Sequence, residues 1–173
     1  MIKRYLVTLL FFSLTAVVHG QVVAAGHGGA HIVAGGFISS FSPDYGSSRL
    51  DGVGGWVDLN LRGHLGAEGE LRFLRWNQTY AVHEDNYELG ARYRWRFGRW
   101  EPYGKFMIGN GQFNFPFSYG HGGYLMLVPG AGVDLHYHRF TVRGDYEYQH
   151  WTNFQHSTLS PDGFTVGIGY RVF

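Results

Sequence analysis

From Tyr87 to Phe97 the chain alternates without a break: Tyr87, Leu89, Ala91, Tyr93, Trp95 and Phe97 against Glu88, Gly90, Arg92, Arg94 and Arg96. A helix would scatter these two sets around its axis, whereas a β-strand sends them to opposite faces. One face is apolar and the other ionic, so the strand must separate two different environments. Leu65, Ala67, Leu71 and Phe73 stand in the same way against Glu68, Glu70 and Arg72, and Phe140, Val142, Tyr146 and Tyr148 against Arg143, Asp145 and Glu147. Leu125, Leu127, Ala131, Val133 and Leu135 alternate with Gly130, Gly132 and Asp134. In His31 to Ser39 both parities are apolar or small, which leaves the faces of that segment open.

The period of two predicts eight strands, at 31–39, 50–61, 65–75, 86–97, 100–109, 123–136, 140–151 and 163–173. Between them long segments (Ser40–Arg49, Trp76–Asp85, Asn110–Gly122, Thr152–Asp162) alternate with short turns at Arg62–His64, Gly98–Arg99 and Tyr137–Arg139. Strands of about 9 to 11 residues cross a bilayer when tilted, and short turns on one side with longer loops on the other mark a membrane barrel. The expected fold is all-β: an eight-stranded antiparallel up-and-down transmembrane β-barrel.

Parity alone also allows a soluble barrel with an apolar interior. Three features turn the apolar face outward. Its side chains are large and aromatic, Tyr and Trp recur near strand ends where an interfacial girdle would lie, and the polar face mixes acids and bases with glycine. The interior polar network is then expected to hold Glu68, Glu70, Arg72, Glu88, Arg92, Arg94, Lys105, Asp134, Arg143, Asp145, Glu147 and Arg171, with Glu101 and Arg96, seven acids against seven bases. An eight-stranded bore is only wide enough for side chains to fill, so these charges read as a structural plug and not as an ion path.

The start of the chain fits export. Lys3 and Arg4 precede an apolar stretch from Tyr5 to Val18, and Val18-His19-Gly20 is a small-residue cleavage site, with a second after Ala25. Residues 1–20 are expected to be a signal peptide, 21–30 a glycine-containing lead-in and 31–173 the barrel. Without residues 1–20 the chain carries 12 basic and 13 acidic groups, no footprint for nucleic acid. Cysteine is absent, which excludes disulfides and thiolate metal sites.

Taken together, Ser42-Pro43-Asp44-Tyr45, His64-Leu65-Gly66-Ala67-Glu68-Gly69-Glu70, Tyr87–Tyr93, Pro102-Tyr103-Gly104-Lys105, Arg143–Gln149 and the last strand make the chain resemble the outer-membrane β-barrel proteins, related to the OmpA transmembrane domain and OmpX-type barrels. The resemblance covers Ala30 to Phe173. It implies a cell outer-membrane location, a lipid-bilayer environment, insertion by the barrel assembly machinery, and a C-terminal insertion signal at Tyr170, Val172 and Phe173. The family usually ends aromatic, any residue, Phe; here Tyr170 is followed by Arg171-Val172-Phe173, so Phe173 falls on the opposite parity to Tyr170.

Activity is the least legible property. His150-Trp151-Thr152-Asn153, with His156-Ser157 nearby, faintly resembles the His-x-Ser-Asn motif of PagL-type lipid A deacylases, with Thr152 where serine is expected and Glu147 as the available carboxylate. His136-x-His138 offers two imidazoles, short of the three or four ligands that a stable metal site wants. Asn110–Gly120 carries four aromatics that suit a rim or a partner contact. The reading is a non-enzymatic barrel with no catalytic or metal residues and no cofactor, acting structurally or through its outer loops on an unidentified extracellular ligand. A narrow porin-like channel and a lipid A hydrolase are the alternatives.

Overall fold

The computed structural model describes residues 30–44, 48–61, 63–76, 83–114, 121–154 and 157–172. The expected leader, both cleavage sites, Phe173, His156 and the aromatics at 115, 117 and 119 lie outside these. The described residues form ten strand segments: β1 His31–Ser42, β2 Leu50–Asn60, β3 Leu65–Trp76, β4 His83–Arg94, β5 Trp100–Asn114, β6 His121–Tyr137, β7 Phe140–Tyr148, β8 His150–Phe154, β9 Ser157–Leu159 and β10 Asp162–Arg171.

Ten segments make eight walls. β7 and β8 keep a single register against β6, with Gly130 opposite Glu147 and Leu127 opposite His150. They break at Gln149, whose N–H donates to the Pro161 carbonyl at 2.7 Å. Pro161 has no N–H to return, so the ladder loses one bond there and β9 separates from β10 at the same level. All pairings are antiparallel, β1 pairs with β10, and β5 pairs with β6, which closes the sheet into a barrel. Closure leaves no wall edge unpaired, the condition for crossing hydrocarbon with strands.

The faces sort as the energetics demand. Leu89 is 69 % and Ile168 62 % exposed on the outside, while Arg72, Arg92 and Arg143 are at most 1 % exposed within. The open question in β1 resolves to Val33, Phe37 and Phe41 inward and Ile38 outward.

Three expectations need correction. The fourth strand lies at His83–Arg94, three residues earlier than expected at each end. Trp95 still donates to the Pro102 carbonyl at 2.9 Å, but Pro102 cannot reciprocate, and past it only the Phe97–Trp100 bridge remains before the turn at Gly98, whose φ of 63° suits glycine. The loop expected at Asn110–Gly122 is largely strand, since β5 and β6 stay paired up to Asn114 opposite His121. β8 and β9 likewise extend the last hairpin through the expected loop Thr152–Asp162.

Tertiary packing drives these extensions. Met107, Phe113, Met126, Val128, Trp151 and Leu159 form an apolar cluster inside the loop end of the bore, and Phe41, Leu50 and Leu74 form a second. Gly111 makes room for it: a Cβ there would meet the Trp151 ring at 2.5 Å. The interior is therefore not wholly polar. It is ionic in the middle and roofed with apolar side chains at the loop end.

Candidate functional site

The middle of the bore is filled by charge pairs. Lys105 on β5 points its Nζ at four carboxylates, Glu68 at 2.9 Å and Glu70 at 2.7 Å from β3, Asp145 at 3.0 Å and Glu147 at 2.6 Å from β7. Arg143 on β7 donates to Asp58 at 2.6 Å, Asp134 at 2.9 Å and Glu68 at 3.1 Å. Arg92 on β4 reaches the same three carboxylates, at 2.7 Å, 2.9 Å and 3.0 Å. Arg72 on β3 joins Glu70 at 2.9 Å, Glu88 at 3.0 Å and Glu147 at 2.7 Å. β3 and β7 stand four walls apart, so Arg143–Glu68 and Arg72–Glu147 each cross the full diameter.

Aromatic rings inside the bore complete the packing. The Arg92 guanidinium lies 3.9 Å from the Tyr103 ring centre, that of Arg143 4.6 Å from Trp56, and that of Arg72 4.5 Å from Phe41. Such faces attract a cation most where water is excluded. Tyr103 also donates its hydroxyl to Asp145 at 2.8 Å.

Eleven of the first twelve residues expected in the interior network are buried; Arg171 is only half-buried and makes no ion pair among the described residues. Arg96 is exposed at the turn end and bonds Glu101 at 3.0 Å from outside the bore. Asp58 and Glu84 are buried although the alternation pointed to neither. Buried carboxyls (Asp58, Glu68, Glu70, Glu84, Glu88, Glu101, Asp134, Asp145, Glu147) thus outnumber buried cations (Arg72, Arg92, Arg94, Lys105, Arg143), which corrects the expected parity of charge. Asp58 escaped because β2 reads Leu-Asp-Gly-Val-Gly-Gly-Trp-Val-Asp-Leu-Asn, where glycines blur the alternation; its signal is the shared parity of Trp56, Asp58 and Asn60.

Among the described residues, three groupings bring metal-binding atoms within 4.8 Å of one another: Glu101 with Asp134 and His136, Glu68 with Glu70 and Asp145, and Glu70 with Glu88 and Glu147. In each the carboxylates already hold a protein cation, Arg94 and Arg96 at Glu101, Lys105 in the second and Arg72 in the third. His136 is held by Thr141 at 3.0 Å, while His138 sits in the exposed turn with φ 57°, so the two imidazoles diverge.

The hydrolase grouping also comes apart. His150 and Thr152 face outward, with the Thr152 hydroxyl donating to the Leu125 carbonyl at 3.0 Å. Glu147 faces inward against Arg72 and Lys105 and cannot orient His150 from the opposite side of the wall. Phe113, counted with the loop aromatics, is buried in the bore.

The family described as outer membrane protein beta-barrel domain matches residues 6–171. A search of curated proteins finds no match. Among solved structures, Neisserial surface protein A is similar at TM-score 0.64 and 11% identity, covering 84% of this chain and 99% of that one. The N-terminal barrel domain of Pseudomonas aeruginosa OprF is similar at TM-score 0.63 and 14% identity, over 82% and 98%. Ail of Yersinia pestis, solved with the heparin analogue sucrose octasulfate, gives TM-score 0.56 and 20% identity, over 82% and 97%. With its closed eight-walled sheet and a sequence match over nearly its whole length, the chain belongs to the outer membrane protein β-barrel family and resides in the outer membrane.

Proposed function

We propose that this protein is a sealed, non-enzymatic barrel that serves the outer membrane structurally and presents its outer end for surface interaction. The observation that carries the reading is the pair of ion bridges across the diameter, Arg143–Glu68 and Arg72–Glu147, below an apolar roof around Trp151. Buried ions stay in place only when each is paired, and here each of the central cations is held by at least three carboxylates. The network's role is structural: it fills the bore and ties opposite walls together. Ail, a barrel of the same fold solved with a sulfated sugar, supports the compatibility of such a stem with ligand presentation.

Purified protein in a planar lipid bilayer is expected to give no steady single-channel level. A reproducible open state would defeat the sealed-bore reading and favour a narrow channel. For the enzymatic alternative, His150→Ala and Thr152→Ala are expected to leave the acylation pattern of lipid A in the host membrane unchanged, as read by mass spectrometry. A loss of deacylated product in either variant would restore the hydrolase.

Residues 1–20 act as the export signal and are removed. The outward-facing Tyr170 and Val172, followed by Phe173, are what the assembly machinery reads.

A further inference from the structure

The outer surface of the barrel changes character at one level. Moving toward the loop end, outward residues switch from Ile38 to Ser40, Val53 to Asp51, Phe73 to Arg75, Tyr87 to Asp85, Ile108 to Asn110 and Phe164 to Asp162. That ring is where hydrocarbon gives way to lipid headgroups. Immediately above it, on the wall formed by β3 to β6, lies a pocket of about 310 Å³ lined by Arg75, His83, Asp85 and Gln112, with the glycine pair Gly122–Gly123 and the bore residue Phe113 at its back. Arg75, His83, Asp85 and Gln112 share the outward parity of their strands, so the pocket opens toward the membrane and not into the bore. Gly122 and Gly123 pair with Phe113 and Gln112 and add no side chain, which creates the recess.

The donors are unevenly used. Arg75 binds Asp85 through Nε at 3.3 Å and Nη2 at 2.8 Å, while Nη1 has no partner among the described residues. The guanidinium is half exposed and lies 5.4 Å from the Phe73 ring centre, which holds it at the edge of the apolar belt. His83 Nδ1 is shielded from water and hydrogen-bonded to nothing among the described residues. A bare phosphate would meet both the Arg75 cation and the Asp85 anion. A phosphorylated sugar satisfies both, its phosphate on the open Nη1 side of Arg75 and its hydroxyls donating to Asp85 and Gln112. The volume, at the small end of the roughly 300 to 1,000 Å³ range of ligand pockets, suits one sugar phosphate and excludes a whole glycolipid.

We propose that this pocket binds the phosphorylated-sugar headgroup of an outer-leaflet lipid, with Arg75 as its phosphate contact. The lipid source follows from the opening's direction and from its level against the belt. This site is independent of the sealed bore: a conducting barrel would overturn that reading and leave this one standing.

The test places the protein in phosphatidylcholine nanodiscs doped with lipid A, a phosphorylated and acylated glucosamine disaccharide, and counts retained lipid A by native mass spectrometry. Arg75→Gln removes the phosphate contact, and Gln112→Trp fills the recess without changing charge. Each is expected to lower retention about tenfold, with the heat-modifiable gel shift of the folded barrel intact and with soluble glucosamine 1-phosphate at the lipid's own concentration failing to displace it. Unchanged retention in both folded variants would overturn the site. Displacement by the soluble sugar phosphate at a concentration no higher than the lipid's would overturn its assignment to a lipid.

Discussion

Lys105→Met is expected to lower the stability of the detergent-solubilised barrel by about 3 to 5 kcal/mol, the cost of stranding a buried charge after its partner is removed. Lys105 is the case where that cost should be largest, because its ammonium is shared by Glu68, Glu70, Asp145 and Glu147, all buried. Methionine keeps much of the length and volume of the stem, so the loss reports the charge and not a cavity. Urea titration followed by gel mobility measures it. Adding Glu70→Gln to Lys105→Met should recover part of the loss, since one of the four carboxylates that lose the ammonium becomes a neutral amide. An unchanged midpoint in the single variant would mean that water reaches these groups and that the bore is wet.

Gly90→Val is expected to be comparably damaging for a steric reason. Gly90 faces inward on β4, and a Cβ there would lie 2.5 Å from the Met107 Cα and closer still to the Phe106 carbonyl oxygen. Both belong to the backbone of β5, which is fixed by its pairing to β4 and β6, so no rotamer can relieve the overlap. A loss of about 3 kcal/mol, the upper part of the usual overpacking range, is expected. It should appear as a fall in the fraction showing the heat-modifiable shift. Gly104→Val on the outer face supplies the control, for a Cβ there meets nothing within 4 Å. If the two variants fold equally well, the close approach of β4 to β5 is not a constraint.

The walls were readable because lipid and a charged bore are both one-sided demands, and a period of two answers them residue by residue. Tyr87–Tyr93 and Phe140–Tyr148 show this without ambiguity. The interior chemistry was less readable, for two reasons. Glycine conceals parity in β2, which hid Asp58 and its bonds to Arg92 and Arg143. Aromatic residues serve both faces: Trp95 and Tyr93 look outward, but Trp56 and Tyr103 lie flat against guanidinium groups, and nothing local distinguishes them except the company of Asp58 and Lys105 at a spacing of two. Strand ends at the outer side were misplaced because Gly, Asn and Pro around 110–122 have turn propensity, and the packing of Phe113 and Trp151 across the bore overrides it. The pocket at Arg75 and His83 was out of reach, since it depends on how β3, β4 and β5 align.

The pairing of Asn114 with His121 pins both ends of the connection that spans residues 115–120, well beyond the ionic layer that holds the stem together. Sequence inserted there hangs from a stalk whose stability is decided elsewhere. The molecule is thus a natural grafting scaffold, on which a new epitope or adhesive peptide can be exchanged for the old while the membrane-embedded stave work is left untouched.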